Sequence, residues 1–242
     1  MATLFIRLAA PMQSWGDESK YDIRQTWKEP SKSGVIGLLA AALGLKRDSE
    51  DIPALSASLR MGVRVEMPGR FISDYHTARA PKYDAKGDAR HLPDGNLMME
   101  AASYVTTRYY LCDACFLVGL ESMDEDLLDR LVKALGSPCF PLYLGRRSCS
   151  PSLPLCLGIR FLSLRDALTS EPWQASEWYQ KKYTPTHLRL IMEAEKDTIA
   201  WHSLRDEVIS FSPIRRRYAP RGIEREQYVS LSDSSHDPMS EL

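Results

Sequence analysis

Leu59-Arg-Met-Gly-Val-Arg-Val-Glu-Met-Pro-Gly-Arg-Phe-Ile-Ser-Asp-Tyr-His76 is the stretch on which the fold turns. Leu59, Met61, Val63 and Val65 alternate with Arg60, Arg64 and Glu66, the period of a strand with one buried face. Met67-Pro-Gly69 supplies turn residues, so Arg70–His76 is expected to return as the second strand of a hairpin. Upstream, Thr3-Leu-Phe-Ile-Arg-Leu8 reads as a first strand, and Ser33-Gly-Val-Ile-Gly-Leu-Leu-Ala-Ala-Ala-Leu43 as a short helix. Ser33 is its expected N-cap and Gly44 its left-handed stop. Apolar residues cover every face of that helix, which predicts deep burial. Downstream, Thr106–Leu120 reads as one long strand and Asp124–Leu135 as an amphipathic helix with acids in its first turn. Leu155–Leu164 supplies a further strand. Past Ser170 the pattern weakens, although Leu188–Glu193 offers one more strand. Strand, helix, hairpin, strand, helix, strand, with two helices on one sheet face, describes an α+β sandwich of ferredoxin-like type.

Two intervals stand outside that order. Gln13–Lys32 is polar and long for a connector, which makes it a functional candidate. Thr77–Ala102 has no strong period, is rich in Lys, Arg, Asp, Gly and Pro, and carries the turn signal Pro93-Asp-Gly95, so it reads as an excursion from the body. The 242 residues are 44% hydrophobic and 26% charged, the balance of a globular chain with a sizeable core. Met1–Ala10 lacks a basic start and a cleavage site, and no apolar run approaches the roughly 18 residues of a bilayer span. Five irregularly spaced cysteines fit a reducing, cytoplasmic setting.

Catalytic and metal motifs are scarce. Cys112-x-x-Cys115 lies within the predicted long strand, and no second pair has ligand spacing, so both are read as core cysteines and no metal is expected. Lys32-Ser33-Gly34 reverses the order that a phosphate loop requires, which argues against nucleotide hydrolysis. A helix N-terminus at these residues still suits a backbone phosphate. Neither a nucleophile elbow nor an HExxH sequence occurs, and no cofactor is expected.

Charge totals mislead here. Lys and Arg number 31 against 32 Asp and Glu, a net charge of −1 that argues against a nucleic-acid partner. Yet Glu226–Leu242 holds four acids and no Lys or Arg, so residues 1–225 carry +3. Gly136–Arg165 contains Arg146, Arg147, Arg160 and Arg165 without an acid. Within it, Pro141-Leu-Tyr-Leu-Gly-Arg-Arg-Ser-Cys-Ser-Pro151 joins an aromatic ring, a glycine and paired arginines in one loop. Arginine pairs phosphates, tyrosine stacks on bases, and glycine permits close backbone approach. Arg215-Arg-Arg-Tyr-Ala-Pro-Arg221 repeats the pattern. Both clusters point to RNA.

Three motifs in order now resemble a known family: Arg7-Leu-Ala-Ala-Pro-Met-Gln-Ser-Trp-Gly16, Pro30-Ser-Lys-Ser-Gly-Val-Ile-Gly37 and Tyr143-Leu-Gly-Arg-Arg-Ser148. The chain is similar, from residue 1 to about 225, to the CasD subunits of Cascade, the type I-E CRISPR surveillance complex. The resemblance implies a ferredoxin-like (RRM/RAMP-type) palm over residues 1–76 and 103–225 with a C-terminal extension. It also implies a protruding β-hairpin thumb at 77–102, and the acidic residues 226–242 are expected to be a disordered tail. It further implies binding of the crRNA 5′ handle, capping of the complex backbone, and contacts with the adjacent backbone subunit and the large subunit. Target DNA is met indirectly, through the complex, and no membrane is involved. By motif position, Gln13, Ser14 and Trp15 lie beside the handle, Lys32 and Ser33 meet its phosphates, and Tyr143, Gly145, Arg146 and Arg147 form the arginine loop. His76, Arg79 and Arg108, at the roots of the thumb, complete the expected RNA contacts. The subtype I-C relative is an endoribonuclease with adjacent Lys and His, a dipeptide missing from this sequence. A non-catalytic role is therefore expected. The competing reading is a metal-independent endoribonuclease acting on CRISPR repeat RNA, with Tyr75 and His76 as acid and base.

Overall fold

A computed structural model describes residues 1–16, 22–100, 103–195, 200–212 and 214–231. In chain order its elements are β1 (Ala2–Ala9), β2 (Met12–Gln13), β3 (Ile23–Arg24), α1 (Lys32–Leu43), α2 (Asp51–Ala57), β4 (Arg60–Met67) and β5 (Arg70–Ala78). These are followed by β6 (Tyr104–Cys112), β7 (Cys115–Ser122), α3 (Glu125–Gly136), β8 (Cys156–Arg160), α4 (Leu164–Ser170) and α5 (Glu177–Lys182). The last are β9 (His187–Met192), β10 (His202–Ser210), β11 (Arg217–Ile223) and β12 (Gln227–Ser230).

The main sheet is antiparallel, in the order β12-β9-β4-β7-β1-β8. Both faces of β1 are buried, which explains its nearly unbroken apolar run. Leu4, Ile6 and Leu8 belong to the large core beneath α1, α2 and α3, whereas Phe5 joins Leu117, Leu164 and Leu168 beneath α4 on the opposite face. Sequence periodicity does not announce this second covering helix, because α4 is only seven residues long and shows less than two full repeats of a helical pattern.

The expected hairpin at Met67-Pro-Gly69 does not form. β4 pairs with β7 and β9, while β5 pairs along its whole length with β6 in a second sheet. The predicted long strand 106–120 is likewise two strands, broken where Asp113 adopts φ 55°. Chain segments 60–78 and 104–122 therefore run side by side and change sheets at the same level. Gly69 marks the bend: its φ is +67°, and a Cβ there would lie 2.5 Å from the Cys112 carbonyl oxygen. The alternation from Leu59 to Glu66 locates β4, but the expected single buried face is corrected: Arg64 and Glu66 are buried too, paired with each other on the α4 side, and alternation does not say which neighbour a strand pairs with.

β6 is also flanked by β2, antiparallel, and β3, parallel, so the polar connector after β1 stitches the second sheet to the body. Beyond β5 the excursion stays narrow, with bridges Pro81↔Met99, Tyr83↔Ala89 and His91↔Leu97. α3 spans Glu125–Gly136, with Asp124 as its N-cap accepting from Leu127 N at 2.9 Å. The cap of α1 is Ser31, one residue before the helix, and not Ser33; its Oγ accepts from Gly34 N at 3.2 Å. Gly44 ends the helix at φ 76°, as expected.

The tail expectation is corrected at its start. Gln227–Ser230 is a strand on the edge of the main sheet, with Val229 buried against β9. Tyr-Val in an alternating tetrapeptide has enough β-character to add an edge. Residues 232–242, which carry most of the acidic tail, lie outside the described residues, as do 101–102 of the excursion. Among the described residues no helix is long and apolar enough to cross a membrane.

Candidate nucleic-acid interface

An open cleft of about 1090 Å³ runs along α1 between the 140–147 loop and the β10–β11 hairpin. Its floor is the small-residue side of α1, where Gly34, Gly37 and Ala41 leave the helix backbone accessible. Phe140, Tyr143, Phe211 and Tyr218 supply aromatic walls. Arg24, Lys46, Arg47, Arg146, Arg147 and Arg216 line it as well, and among the described residues no carboxylate does. A second groove, lined by Arg24, Asp74, His76, Arg108, Tyr110, Arg146 and Arg147, shares three arginines with the first. The two make a continuous basic surface from the root of the excursion to the start of α1. Clustered cations against low-dielectric walls attract phosphates, and exposed rings offer stacking faces.

Local geometry explains the arginine loop. Leu144 N donates to Cys149 O at 2.7 Å and Cys149 N to Arg146 O at 2.9 Å, closing a tight turn around the buried Leu144. Gly145 adopts φ +88° with its Cα against the Ser14 carbonyl: a Cβ would sit 1.6 Å from that oxygen. Ser14 N donates to Leu144 O at 3.1 Å, locking the loop to the segment after β1. Burial pushes the Cys149 thiol above its ordinary pKa, so this cysteine is an inert filler of the loop. Cys115 is pushed up to about 12, first by burial and then by the nearby Glu66 carboxylate. Among the described residues no group of His, Cys, Asp and Glu is arranged to hold a metal.

The two arginines of the loop differ. Arg146 donates to Tyr109 O at 3.1 Å and Arg24 O at 3.0 Å, with its guanidinium 4.6 Å from the centre of the Tyr110 ring. It joins the loop to β6 and β3. Arg147 is exposed at the junction of both grooves. Tyr143 and Ser33 are partly exposed in the first cleft, and Ser14 reaches it at a largely buried position. His76 and Arg108 lie in the second, with His76 Nε2 2.5 Å from Asp74 Oδ2. Arg79 is in neither groove; its Nε donates to Ser103 Oγ at 3.2 Å, across the base of the excursion.

Gln13, Trp15 and Lys32 do not line either groove, against expectation. Gln13 Nε2 donates to Leu8 O and Ala114 O, and its Oε1 accepts from Trp15 Nε1. Trp15 is completely buried, lying on Gly34. Lys32 is 2% exposed, its ammonium 3.0 Å from Glu193 Oε1 and 2.7 Å from Glu207 Oε2, and its amide donates to Asp206 Oδ2 at 2.7 Å. A carboxylate thus occupies the start of α1, the place where an anion would bind. The second arginine cluster divides too: Arg216 and Tyr218 line the cleft, but Arg221 is buried in a paired contact with Asp206. Arg160 and Arg165 are bound to Glu171 and Glu224.

Sequence reading missed Arg24, Lys46, Arg47, Phe140 and Phe211. Their common feature is spatial. The one available sequence signal was the small-residue face of α1, since 34, 37 and 41 fall on one side of a 3.6-residue helix.

The family model described as CRISPR-associated protein (Cas_Cas5) matches residues 3–224. The CRISPR system Cascade subunit CasD of Escherichia coli (strain K12) is 34% identical over 205 residues, spanning 79% of this chain and 87% of that protein. A chain of a solved CRISPR RNA-guided surveillance complex superposes with TM-score 0.74 at 32% identity, covering 95% of this chain and 91% of its own. A crystal structure of a Cas protein gives TM-score 0.68 at 39% identity, with 94% and 95% covered. A family match over nearly the whole chain, with relatives alike in sequence and in fold, makes this chain a member of the CRISPR-associated Cas5 family.

Proposed function

We propose that this chain is a non-catalytic RNA-binding subunit of a cytoplasmic, type I-E CRISPR surveillance complex, holding the 5′ handle of crRNA and capping the complex backbone. The observation that carries the proposal is the cleft with its six cations and four aromatic rings and, among the described residues, no carboxylate. Strands β4-β7-β1-β8 with α1 and α3, connected in the order β-α-β-β-α-β, constitute a ferredoxin-like (RAMP-type) palm. Residues 77–102 are its thumb, reaching toward the adjacent backbone subunit, and the large subunit docks beside the palm. Arg147, Tyr143, Ser33, Arg108 and His76 contact RNA together with Arg24, Arg47 and Arg216. Gln13, Trp15, Gly145 and Arg146 build the surface, with Ser14 at its edge. The test is copurification: the complex should retain a repeat-derived RNA, and Arg24→Ala with Arg147→Ala should release it. Undiminished RNA retention in that variant would refute the assignment.

One observation favours the endoribonuclease reading, the close pairing of His76 with Asp74 beside Arg108. Incubating the chain with labelled repeat RNA in EDTA separates the two. A site-specific cut lost in His76→Ala establishes catalysis, and intact RNA refutes it, leaving the copurification test to decide binding.

A further inference from the structure

The β10–β11 hairpin forms one wall of the cleft; Val208 anchors it in the large core, and a network of charged side chains fixes its orientation. At its foot, backbone bonds tie it to the end of β9, through Ala194 N to Gly222 O at 2.9 Å and Glu224 N to Met192 O at 3.0 Å. Halfway up, register is lost between Leu204 and Glu207, where Arg205 and Asp206 face the single residue Pro220. This is a β-bulge, and proline suits it because no ladder bond is required of its nitrogen. The bulge turns Asp206 inward, where it is 2% exposed. Its Oδ1 and Oδ2 accept from Arg221 Nε and Nη2, both at 2.8 Å, and Oδ2 also accepts from Lys32 N at 2.7 Å. Lys32 closes the network through Glu193 and Glu207, and Ser56 of α2 donates to Glu207. Above this level the hairpin carries Phe211, Arg216 and Tyr218 into the cleft.

We propose that Asp206 is a positioning residue for RNA: by joining Arg221 to the first amide of α1 it fixes the hairpin against the cleft floor and so places Arg216 and Tyr218 on the ligand. This rests on the RNA-binding reading above. It also gives the buried Lys32 its role, which is to hold the hairpin rather than a phosphate. Charge-assisted bonds among groups removed from water are geometrically demanding, so removing one member shifts the hairpin as a body.

A double-mutant cycle on the full chain tests this, using a labelled single-stranded RNA of the repeat sequence and fluorescence anisotropy. Asp206→Asn should weaken binding by about tenfold in the wild-type background and by less than about twofold in the Arg216→Ala/Tyr218→Ala background, since the groups it positions are already gone. Equal weakening in both backgrounds, or none in either, overturns the proposal, because a merely structural residue acts additively. Wild-type affinity of Arg216→Ala/Tyr218→Ala also overturns it. In that case loss of binding in Arg24→Ala/Arg147→Ala leaves the RNA reading standing, and full binding there removes that reading as well. Should Asp206→Asn fail to fold, Arg221→Lys, which keeps the charge and gives up the paired geometry, runs the same cycle with the same outcomes.

Discussion

Gly145→Ala places a methyl group where the structure has a carbonyl. The new Cβ would lie 1.6 Å from Ser14 O and 2.7 Å from Ser14 C, with the backbone at φ +88°. A carbon and a carbonyl oxygen rest at about 3.3 Å or more, so the two segments must part by about 1.7 Å. The bond from Ser14 N to Leu144 O spans the same gap and breaks, at a cost of about 1 kcal/mol. Holding alanine in a left-handed conformation adds about 1–2 kcal/mol. The sum, about 2–3 kcal/mol, lowers Tm by about 4–12 °C for a chain of this size. Separation also carries Arg146 and Arg147 away from the junction of the two grooves. RNA affinity should fall by about tenfold, equivalent to about 1.4 kcal/mol. Differential scanning fluorimetry and anisotropy titration with repeat RNA measure both. A Tm within about a degree of wild type, together with an unchanged Kd, would refute the claim that close approach to Ser14 holds this loop.

Three further perturbations separate the parts of the site. Arg147→Ala should weaken RNA binding and reduce the salt slope by about 0.7 for each phosphate that the side chain neutralises, with Tm unchanged. Arg146→Ala, by contrast, frees the Tyr109 and Arg24 carbonyls and should lower stability by about 2 kcal/mol, read by urea denaturation. Lys32→Met leaves Glu193 and Glu207 without their shared cation and should cost about 3 kcal/mol, and by loosening the hairpin that carries Arg216 it should lower the salt slope by no more than the roughly 0.7 of one phosphate contact. Glu66 provides a pH test. Burial raises its carboxyl above 4.5, against the opposing pull of Arg64. Its ionisation therefore disfavours the folded state, and that penalty is relieved as pH falls through the raised value toward 4.5. Denaturation of wild type and Glu66→Gln in parallel should show the wild type gaining relative stability over that descent; a pH-independent difference would contradict the assigned cause.

Local features of the fold were legible wherever one residue decides them. Gly44 ends α1, Asp124 starts α3, and the alternation from Leu59 to Glu66 marks β4. Pairing was not legible, because the choice between a hairpin at Pro68-Gly69 and a change of sheet depends on another part of the chain. Asp113 had to bend at the same level, so that segments 60–78 and 104–122 could leave the main sheet together. A polar side chain at φ 55° is tolerable for Asp, and the sequence around Cys112-Asp-Ala-Cys115 gives no glycine to announce it. The N-cap of α1 was misplaced by two residues for a related reason. Ser31 and Ser33 both suit a cap, and only the buried Asp206, 174 positions away from Lys32, decides where the helix begins.

The site repeats that division in a more instructive way. The three motifs that carried the family resemblance contain Gln13, Trp15, Lys32, Gly145 and Arg146, residues that mostly point inward or bind backbone. Each is restricted by several partners at once, so its identity is hard to vary and easy to notice. A residue that meets a phosphate needs only a cation at about the right distance, which many positions can supply. Arg24, Lys46 and Arg47 are of that kind, scattered along the chain with no spacing to betray them, whereas Arg216 belongs to the one exposed run, 215–217, that the sequence does display. The same logic resolves the net charge of −1. Three cations are neutralised in buried pairs, Arg64 with Glu66, Arg221 with Asp206 and Lys32 with two glutamates, and those pairs shape the chain without adding to its field. What reaches the ligand is the local excess along one cleft, and a near-neutral total is compatible with a grip on a short RNA segment because only that excess faces it.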